Sequence, residues 1–365
     1  MSINSIYFKN LNGLRFIAAF SVLMAHTELL KKSFGLPNID HLAFYSNTNG
    51  HIGVILFFVL SGFLITFLLL QKERDKGKIS IKNFYVRRML RIWPLYFLMV
   101  IIAALIYFST KNPIFGNHGW WGYFTIFPNV SKAFGYYYDG VVHLWSIGVE
   151  EQFYLIWPFI LVLTIKVKRT RLYLLIGIFV VVSLLPHVIG YIQSHFYLFS
   201  TSSFEFWNRF VNMFKINVMA LGGVVGLLVF RGFKIRVFNS KLTRLIIFFL
   251  PFVMWYSGFH FKIFNDEIYG FLFALILYLF ASYEKTINLE QKWLNQLGKI
   301  SYGIYVYHWL VIIGMIQLIK FLNIQNVVFS NLIIYVGGIT LTLSISYISF
   351  YYFERRFLNL KSSFE

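Results

Sequence analysis

The chain has 365 residues, of which 58% are hydrophobic, 21% aromatic and only 13% charged, where an ordinary soluble domain carries about 25% charged residues. A mean hydropathy of +0.66 over the whole length excludes a soluble globular protein, because one core cannot hide that much apolar surface; the solvent must be lipid. The formal net charge is +19, from 33 Lys and Arg against 14 Asp and Glu. The basic residues fall in short runs between long apolar stretches, which is the positive-inside pattern and not a groove for a nucleic-acid backbone. No nucleic-acid partner is therefore expected. Cysteine is absent, which removes disulfides, thiol nucleophiles and cysteine-based zinc sites; no metal is expected.

The first apolar stretch contains Arg15 and His26 and lacks a small-residue cleavage site, so it reads as a retained membrane helix and not as a signal peptide. A span needs about 20 apolar residues. Ten are predicted, over about 11–30, 51–71, 92–109, 144–165, 172–190, 213–230, 244–259, 268–283, 300–320 and 331–353. The segments 1–15, 72–91, 166–171, 231–244, 284–299 and 354–365 together hold 25 of the 33 Lys and Arg. These are assigned to the cytoplasm, and both termini with them. The expected fold is thus an all-α integral membrane bundle of about ten transmembrane helices. No linker or composition shift separates a second domain, so residues 1–365 are expected to form one domain without a soluble C-terminal extension. Segment 112–143, rich in Trp, Tyr, Phe, Gly and Pro, fits an outer loop, an interfacial segment or a re-entrant piece.

Charged groups inside a span are costly and point to function. The first helix, LNGLRFIAAFSVLMAH, carries two such groups eleven residues apart. At about 100° per residue Arg15 and His26 lie within roughly 20° of one face, ~16 Å apart along the axis. The plain structural alternative is a snorkelling arginine and a core histidine; a neutral histidine is also a ready general base. In the second helix Ser61-Gly62 favours close helix approach. In FYVRRMLRIWPLYF, Arg88 and Arg91 are i and i+3 and share a face. They are either positive-inside anchors or a fork for phosphate, which arginine binds bidentately. HLWSIGVEEQFYLIWP places Glu150 and Glu151 inside an apolar stretch, after His143. Adjacent residues point about 100° apart, so the two are not a paired dyad. One could orient an imidazole while the other meets an arginine; a buried structural ion pair is the alternative. LGKISYGIYVYHWLVI holds His308 among Tyr302, Tyr305 and Trp309, which read first as packing and interfacial anchors.

Taken in order, LNGLRFIAAFSVLMAH, GVILFFVLSGFLIT, FYVRRMLRIWPLYF, HLWSIGVEEQFYLIWP and LGKISYGIYVYHW resemble the acyltransferase-3 family of bacterial membrane proteins, from about residue 8 to the FERRF stretch at 353–357. These proteins transfer acyl groups, usually acetyl, to sugars of lipopolysaccharide, capsule, exopolysaccharide or peptidoglycan. The resemblance implies that Arg15 and His26 match the family's Arg and essential His eleven residues apart, that Arg88 and Arg91 match its Arg-x-x-Arg pair, and that Ser146, Glu150, Glu151, Gln152, Phe153 and Tyr154 match its Ser-x-x-x-Glu-Glu-Gln-Phe-Tyr stretch. Two departures stand out: Asn12 occupies the first basic position of the helix-1 motif, and Ile55 stands where the family often has Asp.

What the resemblance implies is a multi-pass enzyme of the bacterial cytoplasmic (inner) membrane. Acetyl-CoA or another acyl-CoA would dock from the cytoplasm with its phosphates on Arg88, Arg91 and Arg15. His26 would act on a hydroxyl of a glycan or lipid-linked sugar, as general base or by first accepting the acyl group. Glu150 or Glu151 would hold the imidazole, and Ser146, His143, Tyr154 and His308 would face the acceptor. The rival class is a glycan transporter or flippase using the same polar groups as a path. The arginine fork and the lack of an evident internal repeat speak against it.

Overall fold

The computed structural model describes residues 7–110, 119–283 and 287–364. Among them there is helix and connecting loop and no β-strand. Nine segments among the described residues are long and apolar enough to cross a membrane: Leu11–Ser33, Thr48–Lys76, Ile81–Ser109, Asp139–Leu163, Arg171–Phe196, Thr201–Phe230, Asn265–Ser282, Ser301–Phe321 and Val327–Phe364. The protein is an all-helical, multi-pass membrane protein. The span expected over 244–259 forms as a helix, Lys241–Tyr256, of 16 residues. At 1.5 Å per residue it reaches about 24 Å, short of the ~30 Å hydrocarbon core.

In chain order the helices that build the bundle are α1 (Leu11–Ser33), α2 (Asn47–Lys76), α3 (Ile81–Thr110), the short α4 (Trp120–Phe124) and α5 (Pro128–Ala133), α6 (Trp145–Leu163), α7 (Arg171–Phe196), α8 (Thr201–Met213), α9 (Ile216–Phe230), α10 (Lys241–Tyr256), α11 (Asn265–Ser282), α12 (Lys292–Lys299) and α13 (Ser301–Phe321). The last span is α14 (Val327–Leu332), α15 (Gly338–Ile348) and α16 (Arg355–Asn359), joined by π-helical turns at Ile333–Gly337 and Ser349–Glu354. The long spans such as α2, α9 and α13 are apolar on nearly every side, as expected of segments that face lipid or one another, whereas α8 and α12 keep a polar face. On α7 only Arg171, Leu175 and Ser183 are buried, while Tyr173, Val181, Leu184 and Tyr191 face outward. That outward apolar face is what a lipid solvent permits and water does not.

At the centre α2 crosses α9 at backbone contact. A Cβ on Gly62 would lie 1.9 Å from the carbonyl oxygen of Met219, and one on Gly222 2.1 Å from that of Val59. Small residues allow this approach, and dispersion over the closed seam holds helices together in lipid, where no hydrophobic drive separates them from solvent. The Ser61-Gly62 pair thus allows the close approach its sequence suggested, and the Ser61 hydroxyl also donates to Glu150. The α1–α2 seam is also tight: Gly50 faces the Ala25 Cβ and Gly53 the carbonyl oxygen of Ala18. The start of α1 is tied to the loop before α12 by Asn10, whose Nδ2 donates to the Ile287 carbonyl at 3.1 Å and whose Oδ1 accepts from the Leu289 N–H at 2.7 Å.

Of segment 112–143, residues 112–118 lie outside the described residues. From residue 119 the chain folds back onto α3 and α6. Tyr96 donates to the Tyr123 carbonyl at 2.9 Å, Tyr138 donates to the Ala103 carbonyl, and Asn129 and Gln152 exchange side-chain amide hydrogen bonds at 3.1 and 3.2 Å. This packed cap carries Lys132 and delivers His143 to the mouth of α6.

Candidate active site

Two cavities lie within the bundle and share part of their walls. One cavity, of about 100 Å³, is walled by Arg15 of α1, Ser61 of α2, Arg88 and Arg91 of α3, Glu150 and Tyr154 of α6, and Tyr302 and Tyr305 of α13. The other, of about 390 Å³, is walled by His26 of α1, His51 of α2, Lys132 of α5, His143, Trp145, and Tyr305 and Trp309 of α13. Val54 and Tyr305 line both. The larger volume falls in the range of ligand pockets, about 300–1,000 Å³.

The arginine cavity brings together all three arginines singled out in the sequence. Arg15 and Arg88 are half-buried and Arg91 is exposed. The Arg88 guanidinium lies 5.5 Å from the Phe84 ring centroid and 5.4 Å from that of Tyr154, and Arg15 Nη1 donates to Asn12 Oδ1 at 3.4 Å. Asn12, the departure from the basic residue of the family motif, is thus in contact with the arginine that follows it. No ion pair within 4 Å joins any of the three arginines to an acid among the described residues. Glu150 is the acid in this wall, Glu151 and Glu354 lie close enough to act on Arg88 and Arg91, and Lys361 adds a further cation; the excess of positive charge that remains is a costly arrangement that an anionic ligand would offset.

The histidine cavity is organised by α13. His308 is fully buried. Its Nδ1 lies 3.1 Å from the Ile304 carbonyl oxygen one helical turn back, and its Nε2 lies 2.9 Å from His26 Nδ1. A carbonyl can only accept, so Nδ1 of His308 carries the proton. In neutral His308 the Nε2 lone pair must then accept from His26 Nδ1–H. That leaves a neutral His26 with its lone pair on Nε2. The His26 and His308 rings are nearly coplanar, 13° apart, with centroids at 5.2 Å. His143 follows the same logic in reverse: Nε2 sits 3.2 Å from the Val306 carbonyl oxygen and donates to it, leaving Nδ1 as an acceptor with no partner among the described residues. Tyr305 donates to the His143 carbonyl oxygen at 2.7 Å and pairs with Ser146 Oγ at 2.7 Å, so its hydroxyl is held between α6 and its own helix.

The two carboxylates are placed away from His26. Glu150 accepts from the Ser61 and Tyr154 hydroxyls in the arginine cavity, and Glu151 accepts from Trp93 Nε1 at 3.1 Å. It is His308, 282 positions along the chain from His26, that meets the imidazole. Ser146 and Tyr154 line the arginine cavity, and His143 the histidine cavity. Sequence reasoning did not single out Lys132 or His51. His51 Nε2 lies 2.9 Å from Asp266 Oδ2, which also meets Lys215 Nζ at 2.8 Å. An intramembrane acid at the start of α11, near a basic residue, was the available signal. Among the described residues no group of three or more His, Asp or Glu is placed to hold a metal ion.

The bundle thus holds an arginine-walled and a histidine-walled cavity with Val54 and Tyr305 in common, in an all-helical multi-pass membrane protein. The acyltransferase-3 family model, described as an acyltransferase domain, matches residues 8–351, and the chain belongs to that family. It is 30% identical over 338 residues to a Staphylococcus aureus (strain COL) protein provisionally named as an O-acetyltransferase, covering 84% of this chain and 51% of that one. To the peptidoglycan O-acetyltransferase OatA of Listeria monocytogenes it is 30% identical over 341 residues, covering 84% and 49%. A Bacillus subtilis protein provisionally named as a peptidoglycan O-acetyltransferase is 31% identical over 183 residues, covering 45% and 25%. The chain thus spans about half the length of the first curated relatives it matches. No solved structure matches it.

Proposed function

We propose that the protein moves an acetyl or other short acyl group from acyl-CoA, bound at the arginine cavity, to a hydroxyl of a cell-envelope glycan seated in the histidine cavity. The single observation that carries this reading is the pair of cavities with Val54 and Tyr305 in common, arginines walling one and His26 the other. The net positive charge of Lys/Arg-rich segments at the arginine end supports a cytoplasmic placement for that end, in the inner membrane of a bacterium, with both chain termini on the same side. Acyl-CoA, which carries several phosphates and does not cross lipid, would meet the arginines there.

In the proposed reaction the phosphates rest on Arg88 and Arg91, with Arg15 deeper, and the thioester reaches past Ser61 toward Tyr305. Nε2 of His26 takes the proton of the acceptor hydroxyl. The oxygen attacks the thioester carbonyl, the C–S bond breaks, and the coenzyme A thiolate leaves with the proton that the imidazolium returns. An acyl group held first on His26 Nε2 would use the same atom. His308 serves as the positioning residue, since it fixes the tautomer that leaves Nε2 basic. Glu150 offsets part of the arginine charge and holds Tyr154 and Ser61, Glu151 anchors α6 to α3 through Trp93, and Ser146 and His143 serve the acceptor side. General-base catalysis contributes roughly 10²–10⁴ in rate, and positioning more. The names of the Listeria and Bacillus relatives favour a peptidoglycan-type acceptor over a lipopolysaccharide one.

The test is transfer from labelled acetyl-CoA in membranes holding the chain, with His26→Ala alongside. Label on a glycan or lipid-linked sugar, lost in the variant, is the expected result. A variant as active as wild type would remove His26 from the chemistry.

A further inference from the structure

The histidine cavity holds a cation that the proposed chemistry does not use. Lys132, in the last turn of α5, is half-buried. It lines the cavity together with His26 and His143. Its Nζ stands 5.3 Å from the centroid of the Trp145 ring, and no acid pairs with it among the described residues. Asp139, in the same cap, makes no ion pair with it within 4 Å, and three further acids are held by other cations. Glu28 is bound by Lys31 at 2.6 Å and by Tyr335. Asp40 is bound by Lys32 at 2.7 Å, and Asp266 by His51 and Lys215. A half-buried ammonium without a counter-charge is costly to keep, and a bound anion offsets that cost.

The same cavity shows unmet needs of a second kind. His143 Nδ1 and Trp309 Nε1 are buried polar atoms without partners among the described residues, on side chains only 2% and 6% exposed. One accepts and the other donates, the pairing that a sugar hydroxyl satisfies. Trp145 and Trp309 also line the wall, stacked on His51 and His143 respectively.

We propose that the histidine cavity selects an acceptor glycan that carries a negative charge close to the acylated sugar, with Lys132 as the residue that reads the charge. The charge is a sugar carboxylate or a phosphate ester, both of which a lysine binds as a point charge. This rests on the acceptor-side assignment above.

The experiment uses the full chain in lipid nanodiscs and three probes of equal length: a galacturonic acid oligosaccharide, its carboxyl-reduced neutral counterpart, and the neutral oligosaccharide bearing a terminal phosphate. Direct binding is measured first, then transfer of labelled acetyl from acetyl-CoA to each. The anionic probes should bind roughly tenfold or more tighter than the neutral one, the scale of a hydrogen bond to a charged group. Lys132→Gln should collapse that preference, and Lys132→Arg should keep it. Tighter binding of the uronate or of the phosphate identifies the source of the charge. Equal binding of all three probes to wild type, or a preference that survives in Lys132→Gln, overturns the proposal. A lysine-dependent preference without acetyl transfer to any probe would sustain the charge reading and count against the acyltransfer reading. Transfer without charge preference would do the reverse.

Discussion

His26 and His308 lie 282 positions apart in the chain, and their Nδ1 and Nε2 atoms are 2.9 Å apart. The Ile304 carbonyl at 3.1 Å from the far nitrogen of His308 sets the direction of that bond. A backbone carbonyl of one helix therefore decides which nitrogen of a side chain on another helix is free to take a proton.

Loss of His308 should then act through His26. His308→Ala is expected to lower kcat by about 10–100-fold, a portion of what a general base supplies, with little change in the KM for acetyl-CoA. His308→Gln, whose amide oxygen can still accept from His26 Nδ1–H, should recover part of the rate. Steady-state kinetics with varied donor decide it: a KM effect without a kcat effect would make His308 a packing residue.

The arginine cavity predicts a donor-specific defect. Arg88→Ala and Arg91→Ala should each raise the KM for acetyl-CoA by roughly 10–100-fold, the worth of a charge-assisted phosphate contact, and leave the KM for glycan near wild type. A truncated acetyl thioester of pantetheine, which lacks the nucleotide phosphates, should show almost no difference between wild type and variants. Equal defects with both donors would assign the arginines to structure.

The α2–α9 seam should be intolerant of volume. Gly222→Val places a Cβ 2.1 Å from the Val59 carbonyl oxygen and should cost at least the ~1–3 kcal/mol of ordinary overpacking, read as a lower melting temperature in detergent. Gly177→Val on α7, where a Cβ meets nothing within 4 Å, is the matched control and should melt with wild type.

Lys132 gives the acceptor side a pH signature. It lies on α5, outside the nine spans, and burial pulls its ammonium down to about 8. Below that value the lysine is charged and holds an anion; above it the charge is lost. Affinity for an anionic glycan should therefore fall as pH is raised from about 7 to about 9, while that for the neutral counterpart changes less. The other titratable groups facing the cavity are His26, His51 with its Asp266 partner, His143 and Tyr305. Lys132→Arg keeps its charge across this range and separates the lysine's titration from theirs.

What the sequence made legible was local. Arg15 and His26 on one face of α1 follow from eleven residues at 3.6 per turn, and the Arg88/Arg91 fork from a spacing of three. The close approach at Gly62 followed from residue size alone. Partnership across helices was a different matter. Which helix Glu150 faces depends on how α6 is rotated against α2 and α3, and no spacing within α6 encodes that angle. The same holds for His308, visible as a histidine in an apolar helix but not as the neighbour of His26. The helix expected over 244–259 forms three positions earlier, at Lys241–Tyr256, because the Ser240 side chain caps its first turn ahead of the apolar run.

Tyr305 and Val54, common to both hollows, also have an electrical meaning. Were water to fill both from opposite sides, the transmembrane voltage would no longer fall evenly over ~30 Å but would be concentrated across whatever insulation remains. Moving one elementary charge through the full potential is worth about 2.3 kcal/mol per 100 mV. Under the proposed chemistry, a thiolate or an imidazolium formed between the two hollows would feel part of it, and the proposed transfer would then run at a rate set in part by how well the membrane is energised.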